Sequence, residues 1–94
     1  MADRTAATAV SASLSSNIVD RIVLTGESVG EVIIFNRSGT QDIYVRIDGI
    51  DPVALGDNCH VVPSDTERRF GVNPGAVDVR LIGSGPAAYS VEAV

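Results

Sequence analysis

At 94 residues the chain has room for one domain with a modest core. Its composition, 45% hydrophobic and 20% charged, is that of a globular protein, while a net charge of −5 with no basic run repels phosphate and argues against nucleic-acid binding. A lone cysteine, Cys59, excludes an intrachain disulfide, and no window approaches the roughly 20 apolar residues of a membrane-spanning helix.

All seven basic residues are Arg, and Ala, Gly and Val are abundant, which points to a GC-rich coding genome. Residues 1–16, MADRTAATAVSASLSS, are rich in Ala, Ser and Thr. They lack the basic start and apolar core of a secretory signal, so synthesis and assembly in a cytoplasm are expected. Ser and Thr at this density disfavour helix. The expectation is a flexible arm, or one that orders on a neighbouring subunit. Fully extended it would reach on the order of 50 Å.

From Asn17 the chain changes character, and residues 17–94 read as a single β domain. Runs rich in Val and Ile predict about seven short strands: 18–24, 29–36, 42–48, 58–62, 67–72, 76–82 and 87–94. Pro52, Pro63, Pro74 and Pro86 fall between runs, where a missing ladder donor costs nothing. Asn36-Arg37-Ser38-Gly39 reads as a hairpin turn and Gly83–Pro86 as a tight turn. The loop from Asp48 to Asp57 is too apolar for solvent alone, since Val53, Ala54 and Leu55 lie in it. It either folds back on the core or meets a partner. No sustained helical period occurs, so the fold class expected is all-β: a small antiparallel β-sandwich or barrel with an extended N-terminal arm.

Alternation assigns the core. Ile43, Val45 and Ile47 face inward, as do Val77, Val79 and Leu81, then Tyr89, Val91 and Ala93, joined by Phe70 and Val72. Tyr44 is the outward aromatic. Two runs are apolar on both faces. Val32 and Ile34 oppose Ile33 and Phe35, and Ile18, Val19, Ile22, Val23 and Leu24 form the other. Their second faces call for a cover: the N-terminal segment, a second copy or a larger partner.

Catalytic chemistry is hard to place. Cys59 and His60 are adjacent, so on a strand they point to opposite faces and cannot act as nucleophile and base. Cys59 reads as a small buried hydrophobe and His60 as a surface or interface residue. Two such ligands are too few for zinc. Asp48, Asp51, Asp57 and Asn58 lack the spacing of a calcium loop and read as turn formers. No phosphate cradle or nucleophile elbow is present. The expectation is no enzyme, no metal and no cofactor. Arg68 and Arg69 read first as a solvated strand edge and second as a grip for a partner's carboxylates.

Several short segments occur in a familiar order. They are Glu31-Val32, Asn36-Arg37-Ser38-Gly39, Ile43-Tyr44, Asp48-Gly49 and Gly56-Asp57-Asn58-Cys59. Val61-Val62-Pro63, Val79-Arg80-Leu81-Ile82 and Tyr89-Ser90-Val91 follow. Together, over residues 29–94, the chain resembles small virion structural proteins of tailed bacteriophages that infect GC-rich bacteria. Gly83 departs from the Ser more often found there. The resemblance implies a non-enzymatic capsid decoration protein that binds the outer surface of the assembled head and stabilises it by bridging subunits of the major capsid protein. It also implies a homo-oligomer, a trimer being favoured, located in the virion, with no nucleic-acid or membrane partner. Interface residues expected on this reading are Ile18, Val23, Ile33, Phe35, Tyr44, Val53, Leu55, Arg68 and Arg69. A tail component (tube, terminator or tail-tip domain) and a glycan-binding adhesion module are the rival readings; the second is short of aromatics to stack on sugar rings.

Overall fold

A computed structural model describes residues 2–28, 30–73 and 75–94. Val29, expected to open a strand, and the breaker Pro74 lie outside the described residues. Nine strands follow in order: β1 Ala2–Ala6, β2 Ala9–Leu14, β3 Asp20–Ser28, β4 Glu31–Asn36, β5 Ile43–Arg46, β6 His60–Val62, β7 Glu67–Gly71, β8 Gly75–Gly83 and β9 Ala87–Ala93. They form two facing sheets, ordered β1-β3-β8-β5-β6 and β2-β9-β4-β7. The all-β sandwich expected from the alternation is what the chain forms. Strands β3 to β9 match the seven predicted runs.

The pairing has a simple logic. β2 pairs with β9, β3 with β8, β4 with β7 and β5 with β6, all antiparallel. The chain from β2 to β9 is therefore one long hairpin, folded over itself. Cross-pairs β4–β9 and β5–β8 close each sheet. This is a jelly roll, one of the architectures that limits open edges in all-β proteins. The tip of the long hairpin is the β5–β6 loop.

Two expectations are corrected here. Residues 2–6 and 9–14 are not an extended arm; β1 pairs in parallel with β3, and β2 pairs with β9. Val10, Ala12 and Leu14 face the core, with Leu14 only 2% exposed, while Ala9, Ser11 and Ser13 face out. The alternation was present but weak, because Ala stands at an inward position and propensity is poor. The 36–39 segment is not a hairpin turn, since β4 and β5 belong to different sheets. It carries the chain from one sheet to the other, as does the Gly83–Pro86 link between β8 and β9.

The core lies between the sheets and is aliphatic: Ile22, Leu24, Val32, Ile34, Ile43, Val45, Val62, Val79, Leu81 and Val91 have no exposed surface. Two buried polar groups tie it together. Asn36 donates from Nδ2 to the Gln41 and Val62 carbonyls, at 2.7 and 2.9 Å, joining one sheet to the other. The Tyr89 hydroxyl donates to Asp20 Oδ2 at 2.7 Å, and Arg4 Nε reaches the same oxygen at 3.5 Å. Burial, then the bond to Asp20, pushes the Tyr89 phenol well above its ordinary value. Arg4 thereby fastens β1 to the core. Gly26 is required by close approach: its N–H donates to the Ala7 carbonyl at 2.7 Å, and an added Cβ would lie 2.6 Å from that oxygen.

Candidate functional site

The β5–β6 loop is built from its charged residues upward. On the outer face of the larger sheet, Arg21, Arg80 and Arg46 stand in register across β3, β8 and β5. Like charges in such a row repel, and carboxylates neutralise each one. Asp78 sits 3.0 Å from Arg21 and 3.3 Å from Arg80. Burial pushes the Asp78 carboxyl up, but hydrogen bonds from Arg80 and Arg21 outweigh it and leave it below the ordinary carboxylate value. The other two carboxylates come from the loop itself. Asp51 meets Arg80 at 2.8 Å, and Asp48 is held by Arg46, whose Nε donates to it at 3.1 Å. The bond from Arg46 draws the Asp48 carboxyl down to about 2.

These pairs pin the loop to the sheet, and further bonds shape it. Asp48 Oδ1 accepts the Ile50 N–H at 3.2 Å, and Pro52 is buried. Gly56 N–H closes a turn on the Val53 carbonyl at 2.7 Å, and the Cys59 thiol donates to the same carbonyl at 3.5 Å. Cys59 is thus a half-buried loop tie and not the buried hydrophobe expected.

Held this way, the loop shows apolar side chains to solvent: Ile50 is 53% exposed, Val53 66% and Leu55 83%. Leu55 also has φ of 60°, in the left-handed region. The other such residues apart from glycine are Asn17, Asn58 and Asp65, types that tolerate it. For Leu this conformation costs on the order of 1 kcal/mol. An exposed leucine in a strained turn serves neither solvation nor backbone preference. Beside the loop in sequence, Ile47 lines an open depression of about 420 Å³ with Gly71, Val72 and Asn73.

The remaining expected interface residues are scattered. Ile18, 45% exposed, lies in the β2–β3 connection, and Val23 is half-buried on the outer face of the larger sheet. Tyr44 shares that face but is 7% exposed. Ile33 and Phe35 lie on the outer face of the smaller sheet, and the chain itself largely covers them. Ile33 is 7% exposed, and the Arg37 guanidinium stands 5.0 Å over the half-buried Phe35 ring. That cover supplies part of what the second face of the strand calls for. Arg68 donates to the Val61 carbonyl at 3.0 Å and stands over Phe70, while Arg69 pairs with Glu31 at 3.1 Å. Only Val53 and Leu55 come together as exposed apolar residues. Ile50 was missed, although it lies in the same apolar loop.

Among the described residues, no three of His, Cys, Asp and Glu converge as metal ligands would. His60 packs against Phe70, with ring centroids 5.1 Å apart.

No family model matches the chain. No curated protein matches it either. Solved structures do resemble it in fold. A de novo designed double-stranded β-helix aligns with a TM-score of 0.59 and 8% identity, over 89% of this chain and 95% of that one. PirA aligns at 0.58 and 15%, over 92% and 93%. PliG of Aeromonas hydrophila, a periplasmic inhibitor of g-type lysozyme, aligns at 0.54 and 11%, over 96% and 92%. Identities this low carry the fold alone.

Proposed function

We propose that this protein is a non-enzymatic virion structural protein that docks on the outer surface of an assembled phage capsid through its β5–β6 loop. The observation that carries a binding role is the loop itself. Ile50, Val53 and Leu55 are held out to solvent on a backbone pinned by Asp48–Arg46 and Asp51–Arg80. A pinned loop loses little freedom on docking, so its apolar area counts more fully toward affinity. The resemblance of residues 29–94 to phage virion proteins supplies the choice of capsid as partner. A subunit that spans neighbouring capsid proteins adds buried interface against the outward push of packaged DNA and needs no chemistry. Selectivity for the mature shell follows if the docking site is complete only after expansion.

The test is co-sedimentation with expanded shells lacking this protein, beside unexpanded shells and purified tails. Saturable binding to expanded shells alone supports the proposal. Binding to tails would move the protein to the tail, and binding to none would remove it from the virion surface.

A further inference from the structure

The free edges of the two sheets differ in how they are defended. The β7 edge carries Glu67, Arg68 and Arg69; β6 has only 3 residues; β1 carries Asp3 and Arg4. Such features block strand addition. The β2 edge has none of them. No charged residue, Pro or Gly occurs from Thr5 to Val19.

One bond establishes which backbone groups of β2 point outward. The Ala93 N–H donates to the Thr8 carbonyl at 2.9 Å, so this is a hydrogen-bonded pair in the β2–β9 ladder. Bonded pairs recur at every second residue of an antiparallel ladder. Val10, Ala12 and Leu14 therefore turn their N–H and C=O groups toward β9. Ala9, Ser11 and Ser13 turn theirs away from the sheet, and among the described residues none meets them. Their side chains are small and exposed.

These three residues are symmetric about Ser11. A second copy laid antiparallel, with Ser11 against its own counterpart, sets Ala9 against the counterpart of Ser13. In that single register every outward N–H meets an outward C=O, and Val10 faces the counterpart of Ala12. No charge is buried and no large side chain intervenes. We propose that β2 is a self-pairing edge, by which two copies join across a twofold axis at Ser11 and the four-stranded sheets become one continuous sheet. The occupant is a second copy because the outward groups complement themselves.

Sedimentation velocity of the full chain, from micromolar to millimolar concentration, tests this. The wild type should move from monomer to dimer as concentration rises. Ser11→Lys sets two like charges opposite each other on the axis and should weaken the dimer by up to about fivefold. Ser11→Pro removes a donor that faces away from β9, so it should weaken the dimer similarly while sparing the internal ladder. Both variants should keep the melting temperature of the dilute wild type. A wild type that stays monomeric across the range would overturn the inference. So would a dimer or trimer that neither variant weakens.

Discussion

Leu14→Ala separates an integral β2 from a loose arm. Leu14 is 2% exposed and sits in the core cluster with Ile22, Ile43 and Tyr89. Truncating a buried Leu to Ala costs about 2–5 kcal/mol, more where the site cannot collapse. Collapse is poor here, because Leu14 lies over Gly83, where an added Cβ would be 3.6 Å from its Cδ1 and no side chain exists to swing inward. The expected loss is therefore about 3–5 kcal/mol. A domain of this size has about 5–14 kcal/mol in total, so the variant should remain folded but weakened. At about 4–8 °C per kcal/mol, the melting temperature should fall by at least about 12 °C. Ser13→Ala, on the exposed face of the same strand, should stay within about 0.5 kcal/mol. The assay is urea unfolding followed by circular dichroism, with calorimetry for the midpoint. A Leu14→Ala variant as stable as Ser13→Ala would show that β2 is not part of the sandwich in solution.

Tyr89→Phe leaves the Asp20 carboxylate, 3% exposed, with Arg4 as its remaining side-chain partner, and should cost about 1–3 kcal/mol in urea unfolding. A neutral Tyr89→Phe would mean that the network adds nothing. Acid should weaken the fold in a defined window. Asp48 and Asp78 are held below the ordinary value of 3.8, so their contribution is complete above that value and is lost as the pH falls through the folded one, about 2 for Asp48. Urea midpoints measured from about pH 5 down to pH 2 should therefore drop, and the drop should shrink in Asp78→Asn; equal slopes in the two proteins would refute the assignment. Leu55→Asp should not lower stability and should raise it by up to about 1 kcal/mol, since Leu55 is 83% exposed and Asp tolerates the left-handed backbone better than Leu; a lowered melting temperature would show that the loop serves the fold.

β8 and β9 were legible in the sequence because their inward Val, Leu and Tyr alternate with polar neighbours, and β3 and β4 because they are short runs rich in Val and Ile. β1 and β2 were not, because Ala and Ser blur the contrast between the two faces. Connectivity was hidden for a different reason. Asn36-Arg37-Ser38-Gly39 has the chemistry of a hairpin turn, yet strand partners are chosen by packing far along the chain, and the segment crosses between sheets instead. In the sequence the loop is apolar and reads as either inward or partner-facing. It proves to be pinned through Asp48 and Asp51 while Val53 and Leu55 face solvent, a division that depends on where Arg46 and Arg80 stand in the sheet. Arg69 reads as available because its partner Glu31 is distant in sequence and meets it only once β4 and β7 pair, and Arg68 because its bond goes to a backbone carbonyl, that of Val61, which residue type does not reveal.

The most direct measurement is the affinity of wild type and a Val53→Asp, Leu55→Asp double variant for expanded shells, in parallel isotherms with melting temperatures alongside. Burying one such side chain is worth about 1.5–3 kcal/mol, so the account predicts at least about a tenfold loss of affinity with an unchanged fold. Equal binding by the two proteins would contradict it.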